Sequence, residues 1–326
     1  MPRPGPGARV GLAFLAGVMA AAFAAPAAAS LSVVVTIKPL HALVARIMGD
    51  TGSPHLLVQG SLSAHTYALK PSDAARLGAA DVFFRMSEAM EPFTARVVKS
   101  LPKAVQIVTL QDTPGVRLLE RRTGASFEHN GSAAGHAEGR SPAHNHDHGT
   151  IDGHAWLDPV NAKPMADRIA EVLGTHAPAQ AAVFRTNAAR LKADLDALAA
   201  DLALDLAPVA GKPYIVFHDA LQYFELRFGL KPAGSIAVSP EVPPSARRLS
   251  ALRTRIGQGG EHDGVECVFA EPQFNARLVS TVVEGTSARV GTIDPEGSRI
   301  EPGPDHYFVL LRNLARDLKA CLVPAG

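Results

Sequence analysis

Apolar and polar positions along this chain fall into a repeated pattern: a short β-branched or aromatic run, then an amphipathic stretch. The runs Ser32–Ile37, His55–Val58, Asp81–Arg85 and Val105–Leu110 read as strands. Between them, Leu40–Met48, Ser72–Leu77 and Pro92–Ser100 read as helices, the second opened by Pro71 and Ser72. After Pro208 the alternation restarts. Strands are expected at Pro213–Phe217, Gly234–Val238, Glu266–Ala270 and Arg289–Ile293. Helices are expected at Leu221–Phe228, Pro244–Ile256, Asn275–Gly285 and His306–Leu322. Strands alternating with helices at this spacing predict βαβ units and parallel sheets.

Two helices stand between the halves, Ala162–Gly174 and a longer one from about Ala179 to Leu206. The longer one carries Phe184, Ala188, Leu191, Leu195, Leu198, Leu202 and Leu206 at steps of three and four, with no Gly or Pro inside. At 1.5 Å per residue, roughly 28 residues span about 40 Å, enough to run along two lobes. The expected fold class is therefore α/β. Two (βα)4-like lobes, residues 30–177 and 209–326, are joined by one linker helix at 178–208, with a cleft between them. A chain of 326 residues is also long for a single core.

Two segments break the pattern. Arg3 and Arg9 precede an apolar stretch of 15 residues, Gly11–Ala25, and Ala27-Ala28-Ala29 offers an A-x-A-type cleavage site. The stretch is short for a membrane span, so residues 1–29 read as a secretory signal peptide. The second segment, 128–153, holds His129, His136, His144, His146 and His148 with almost no large apolar residue. Such a stretch buries too little surface to order itself and predicts a mobile His-rich loop. His144, His146 and His148 lie close enough along the chain to form a weak secondary metal site.

Composition narrows the function. The 32 basic and 31 acidic residues leave a net charge of +1, so no single-sign field favours nucleic acid or an anionic membrane. Cys267 and Cys321 are the only cysteines. In an oxidising compartment an even pair invites a disulfide, worth roughly 4 kcal/mol if unstrained; two buried free thiols are the alternative. Neither lies in a CxxC motif or near a His, which argues against a cysteine zinc site.

Ligands bind beyond the carboxyl ends of parallel strands. His65 lies after the second expected strand, and His154 follows the His-rich segment. His218 directly follows Phe217, and Asp294 directly follows Ile293. Three imidazoles and a carboxylate suit tetrahedral Zn²⁺. A lone His at a strand end is more often a structural hydrogen-bonder, and the four residues at equivalent places only bring the two readings level.

Longer motifs carry the reading further. In order they are Ile37-Lys38-Pro39-Leu40, His65-Thr66-Tyr67-Ala68-Leu69-Lys70-Pro71-Ser72-Asp73 and Gly153-His154-Ala155-Trp156-Leu157-Asp158-Pro159. Then come Phe217-His218-Asp219-Ala220 with Tyr223-Phe224, Ser239-Pro240-Glu241, Phe269-Ala270-Glu271-Pro272-Gln273-Phe274 and Gly291-Thr292-Ile293-Asp294-Pro295. Across nearly the whole mature chain, this series resembles the zinc-uptake substrate-binding proteins of ABC transporters, the ZnuA type. The resemblance implies a periplasmic receptor of a Gram-negative bacterium that captures Zn²⁺ as transported ligand and delivers it to a membrane permease. It makes His65, His154 and His218 the zinc ligands and Asp294 the nearby carboxylate. It also makes Cys267–Cys321 a disulfide. A monomer is expected, and a periplasmic zinc chaperone is compatible as a further partner.

One departure stands out. Some members place a Glu just before the first ligand His, where this chain has Ala64. The fourth position then falls to Asp294 or water, with Asp294 expected. Manganese and iron importers of the family typically have a Glu where His218 stands; imidazole there favours zinc. A zinc hydrolase is the enzyme alternative, because three His and an open position also build catalytic zinc. With no HExxH motif, and only Glu241 and Asp219 as candidate bases, no enzyme is expected.

Overall fold

The computed structural model describes residues 1, 31–122, 124, 126–127, 151–240, 242–257 and 264–323. The chain divides into two compact units, Met1–Ser30 and Leu31–Gly326. Of the first unit only Met1 is described, so the expected signal peptide lies outside the described residues. So do the five histidines of the His-rich segment.

The larger unit contains two sheets, each of four parallel strands. The first has the order β2-β1-β3-β4, from β1 (Val33–Val35), β2 (His55–Leu56), β3 (Val82–Arg85) and β4 (Gln106–Thr109). The second has the order β6-β5-β7-β8, from β5 (Pro213–His218), β6 (Lys231–Ala237), β7 (Cys267–Ala270) and β8 (Arg289–Thr292). The helices are α1 (Lys38–Met48), α2 (Pro71–Gly78), α3 (Thr94–Ser100), α4 (Pro159–His176), α5 (Ala181–Leu206), α6 (Gln222–Phe228), α7 (Ala246–Gly257), α8 (Arg277–Val283) and α9 (His306–Leu322). Among the described residues no helix is long and apolar enough to cross a membrane.

Most boundaries shift by a residue or two from the expected ranges, and the starts of β6 and α4 shift by three, each for a local reason. β6 begins at Lys231, three residues before Gly234, and contains Pro232. Proline cannot donate to a ladder, but β6 is an edge strand, where that donor is not needed. α4 begins at Pro159 because Asp158 caps it, accepting from the Val160 amide at 2.9 Å.

Alternation along the strands decides which face each residue covers. Val33, Val35, Val82 and Phe84 of the first sheet join one large apolar core, as do Tyr214, Val216, Cys267 and Phe269 of the second. That core also takes in α1, α4, α5 and α9. The opposite faces form separate, smaller clusters, with Val34 and Phe83 in one and Ile215, Phe217 and Val268 in the other. The two lobes therefore share their main core. All seven residues of the α5 stripe, from Phe184 to Leu206, are buried in it. On its polar side α5 meets both halves: Asp194 pairs with Arg46, Asp196 with Lys163, Asp201 with Arg312 and Asp205 with Lys319. Cys267 and Cys321 form a disulfide across 54 residues, with Cα atoms 6.1 Å apart, tying β7 to the end of α9.

Candidate metal centre

His218 is the last residue of β5, and its burial follows from the central place of that strand. His154 stands just before a single 3-10 turn, Ala155–Leu157, whose next residue is the α4 cap Asp158. His65 lies in the turn-rich connection between β2 and α2. These three histidines, remote in sequence, meet in one group whose ligand atoms all lie within 4.8 Å of one another. His154 Nε2 is 3.2 Å from His65 Nε2 and 3.4 Å from His218 Nε2. Two nitrogens bound at about 2.05 Å to a tetrahedral Zn²⁺ would be about 3.3 Å apart. The spacing thus fits a zinc coordination edge.

Carboxylates orient two of the rings. His154 Nδ1 lies 2.7 Å from Asp152 Oδ1, and His218 Nδ1 lies 2.6 Å from Glu271 Oε1. Each carboxylate oxygen also accepts the backbone N–H of the same histidine. A proton on Nδ1 donated to the carboxylate leaves Nε2 as a lone pair facing the other histidines. Burial, reinforced by neighbouring His218 and His65, holds the His154 imidazole well below its ordinary pKa. Burial acts on His218 in the same direction, but Glu271 beside it outweighs that and leaves its pKa raised. Burial lifts Asp152 to about 6.

The group faces a cavity of about 100 Å³, lined also by Arg121, Asp152, Asp219 and Ser239. Pockets for organic ligands run from about 300 to 1,000 Å³. This space suits an ion with one or two waters.

Asp294, expected as the fourth ligand, is not brought into the group. Its carboxylate is engaged elsewhere: Oδ1 accepts from Gln273 Nε2 at 3.1 Å, and Oδ2 accepts from Ser298 Oγ and the Arg299 amide. The acid nearest in role is Glu296, two residues on. Ser63 Oγ donates to Glu296 Oε1 at 2.9 Å, and the Ala64 amide donates to Oε2 at 3.2 Å. Burial raises its pKa, and the charges of His65 and His218 act against that shift. The proposed secondary ligands His144, His146 and His148 lie outside the described residues, as does Glu241. His41, His176 and His306 bond Pro54 O, Gln106 and Gly297 O respectively, away from the group.

The sequence reading assigned no role to Asp152, Glu271 or Glu296. The register of the second sheet accounts for Glu271. β5 and β7 are parallel with Ile215 opposite Val268, so three residues on, His218 falls opposite Glu271. Further bonds cross between the halves. Arg122 pairs with Asp219 and Glu225, Arg227 with Asp158, and Tyr223 Oη donates to Asp152 O at 2.9 Å.

The profile of the family "Zinc-uptake complex component A periplasmic", ZnuA, matches residues 33–321. A high-affinity zinc uptake system protein ZnuA of Brucella abortus strain 2308 is 44% identical over 330 residues, covering 95% of this chain and 96% of its own. A protein of the same description from Yersinia pestis is 36% identical over 297 residues, covering 90% of this chain and 92% of its own. A crystal structure of ZnuA superposes with a TM-score of 0.72 at 23% identity, covering 90% of this chain and 99% of its own. A zinc-bound ZnuA deletion mutant gives 0.73 at 22%, covering 91% and 100%. These two structures speak for the fold.

Proposed function

From the premise that the chain belongs to the periplasmic zinc-uptake component A (ZnuA) family, we propose that it is a receptor that captures Zn²⁺ between its two lobes for an ABC importer. His65, His154 and His218 each bind the ion through Nε2, and water takes the fourth position. The observation that carries this is the spacing of the three imidazoles, two of them oriented by Asp152 and Glu271.

Residues 1–29 direct export and are removed, and the mature chain works as a monomer docking on a membrane permease. Nitrogen ligands at all three positions suit Zn²⁺ better than Mn²⁺, which favours harder oxygen donors. His144, His146 and His148 add a weaker second site, so deleting residues 128–149 lowers the zinc stoichiometry without touching the tight site. The protein is a carrier and catalyses no hydrolysis: the cavity holds little beyond the ion and its water.

The shared core and the α5 spine leave small loop shifts as the means of entry and release. An anomalous-difference map at the zinc edge tests the reading, using crystals grown without added metal. One strong peak among the three histidines is the expected result; a peak elsewhere, or none after zinc addition, would sink it. Protons compete for the ligand nitrogens, so zinc affinity falls as pH drops through about 6.5. Chelator-competition titration from about pH 7.5 to about 5.5 measures this, and flat affinity would contradict a histidine site.

A further inference from the structure

Lys38 occupies an unfavourable place for a cation. It is the first residue of α1, next to Ile37, which supplies no side-chain cap, and it is 7% exposed. The amino end of a helix repels positive charge, and burial strips the ammonium of water. What holds it there comes from the other lobe. Nζ donates to Ser298 O at 2.7 Å and to Ile300 O at 2.9 Å, some 260 residues away. Asp294, Glu296 and Glu301 add favourable charge around it.

The bonded carbonyls belong to a tight loop, residues 294–300. Within it the Gly297 amide donates to Asp294 O and the Ile300 amide to Gly297 O, while the Asp294 carboxylate takes Ser298 Oγ and the Arg299 amide. Gly297 has φ +63°, and a Cβ there would come within 2.7 Å of the His306 ring, whose Nε2 bonds Gly297 O at 3.1 Å. From this loop Glu296 reaches back to Ser63 and Ala64, directly before His65. The contacts close a circuit. The first lobe lends Lys38 to the loop, and the loop returns Glu296 to the first lobe's His65 turn.

We propose that Lys38 is a positioning residue for the metal: by pinning the 294–300 loop it sets Glu296, which holds the His65 turn in ligating place. The inference rests on His65, His154 and His218 being the ligands. The clasp joins the lobes through protein bonds alone, and loosening it frees the His65 turn to move, which speeds zinc release.

The test is zinc dissociation from the full mature chain, followed by stopped flow with excess chelator. Lys38→Met removes the donor at similar volume, and dissociation is expected to quicken about tenfold, the low end for partners one shell outside a metal. Glu296→Ala should do the same. Adding Lys38→Met to Glu296→Ala should change the rate less than about twofold, because both act through one path. A Lys38→Met rate within about twofold of wild type overturns the proposal, and so do effects that multiply in the double variant. A purely structural role for Lys38 would give such multiplication. Should Lys38→Met not fold, Lys38→Gln keeps a shorter donor; it is expected to release zinc faster than wild type, and an unchanged rate overturns the proposal. Zinc binding that survives His65→Ala in an otherwise wild-type chain would instead defeat the ligand assignment beneath it.

Discussion

Asp152 and Glu271 each spend one oxygen on the ring and backbone N–H of a histidine of the candidate site, and their other oxygens, Asp152 Oδ2 and Glu271 Oε2, are buried without a partner among the described residues. Carboxylates so placed fix the tautomer of the imidazole and raise its basicity. Glu271→Gln keeps the shape but loses the charge that raises the His218 pKa. Zinc affinity is expected to fall about tenfold or more, measured by chelator competition; unchanged affinity would mean the carboxylate only packs. Asp152→Asn should act in the same direction through His154. The histidines were legible because each stands in a motif that the family shares; of the three, only His218 ends a strand. Their carboxylates were not: Glu271 acquires meaning only once β5 and β7 are known to be neighbours.

At the scale of the element, α5 is the most constrained piece. Its apolar stripe has the step of three and four that a helix needs to bury one face, and every stripe residue is buried. Its 26 residues extend about 39 Å, packing on α1 and α4 on one side and α9 on the other. Leu198, fully buried, lies within the shared core. Leu198→Ala is expected to cost 2–5 kcal/mol, read as a lower urea midpoint with zinc stoichiometry intact. A loss below about 1 kcal/mol would mean the helix sits outside the main core. The sequence pattern predicted α5 and the eight strands. The start of β6 at Lys231, with Pro232 inside it, escaped it, because only an edge position makes a proline harmless in a sheet.

For the molecule as a whole, one core across both lobes predicts a single cooperative unfolding transition. His306 makes that transition sensitive to acid. It is buried where α9 meets the 294–300 loop, and burial holds its pKa at about 4 against 6.5 for the free side chain. Below pH 6.5 the unfolded chain takes up a proton that the folded chain refuses until about pH 4, so stability falls as pH falls through that window. The contribution is on the order of 3 kcal/mol. His306→Gln keeps a donor for Gly297 O and removes the titration. Metal-free wild type should therefore lose stability relative to this variant between about pH 6.5 and 4, by denaturant melts at each pH. Parallel curves would refute the assignment.

By itself the sequence determined the period of each element, the two matching halves and the long helix between them, and it marked three histidines as candidates. These are local properties: side-chain periodicity and strand ends are written within a few residues. Tertiary structure alone decided that the halves share a core, because which face of a strand meets which helix depends on the order of strands in the sheet. It also decided the surroundings of the metal site. Asp294 is drawn away by Gln273 and Ser298, whereas Glu296, Asp152 and Glu271 come into play. Hydrogen bonds between groups as far apart as Lys38 and Ser298 leave no trace in spacing. They form only where two lobes bring a buried charge and a free carbonyl together.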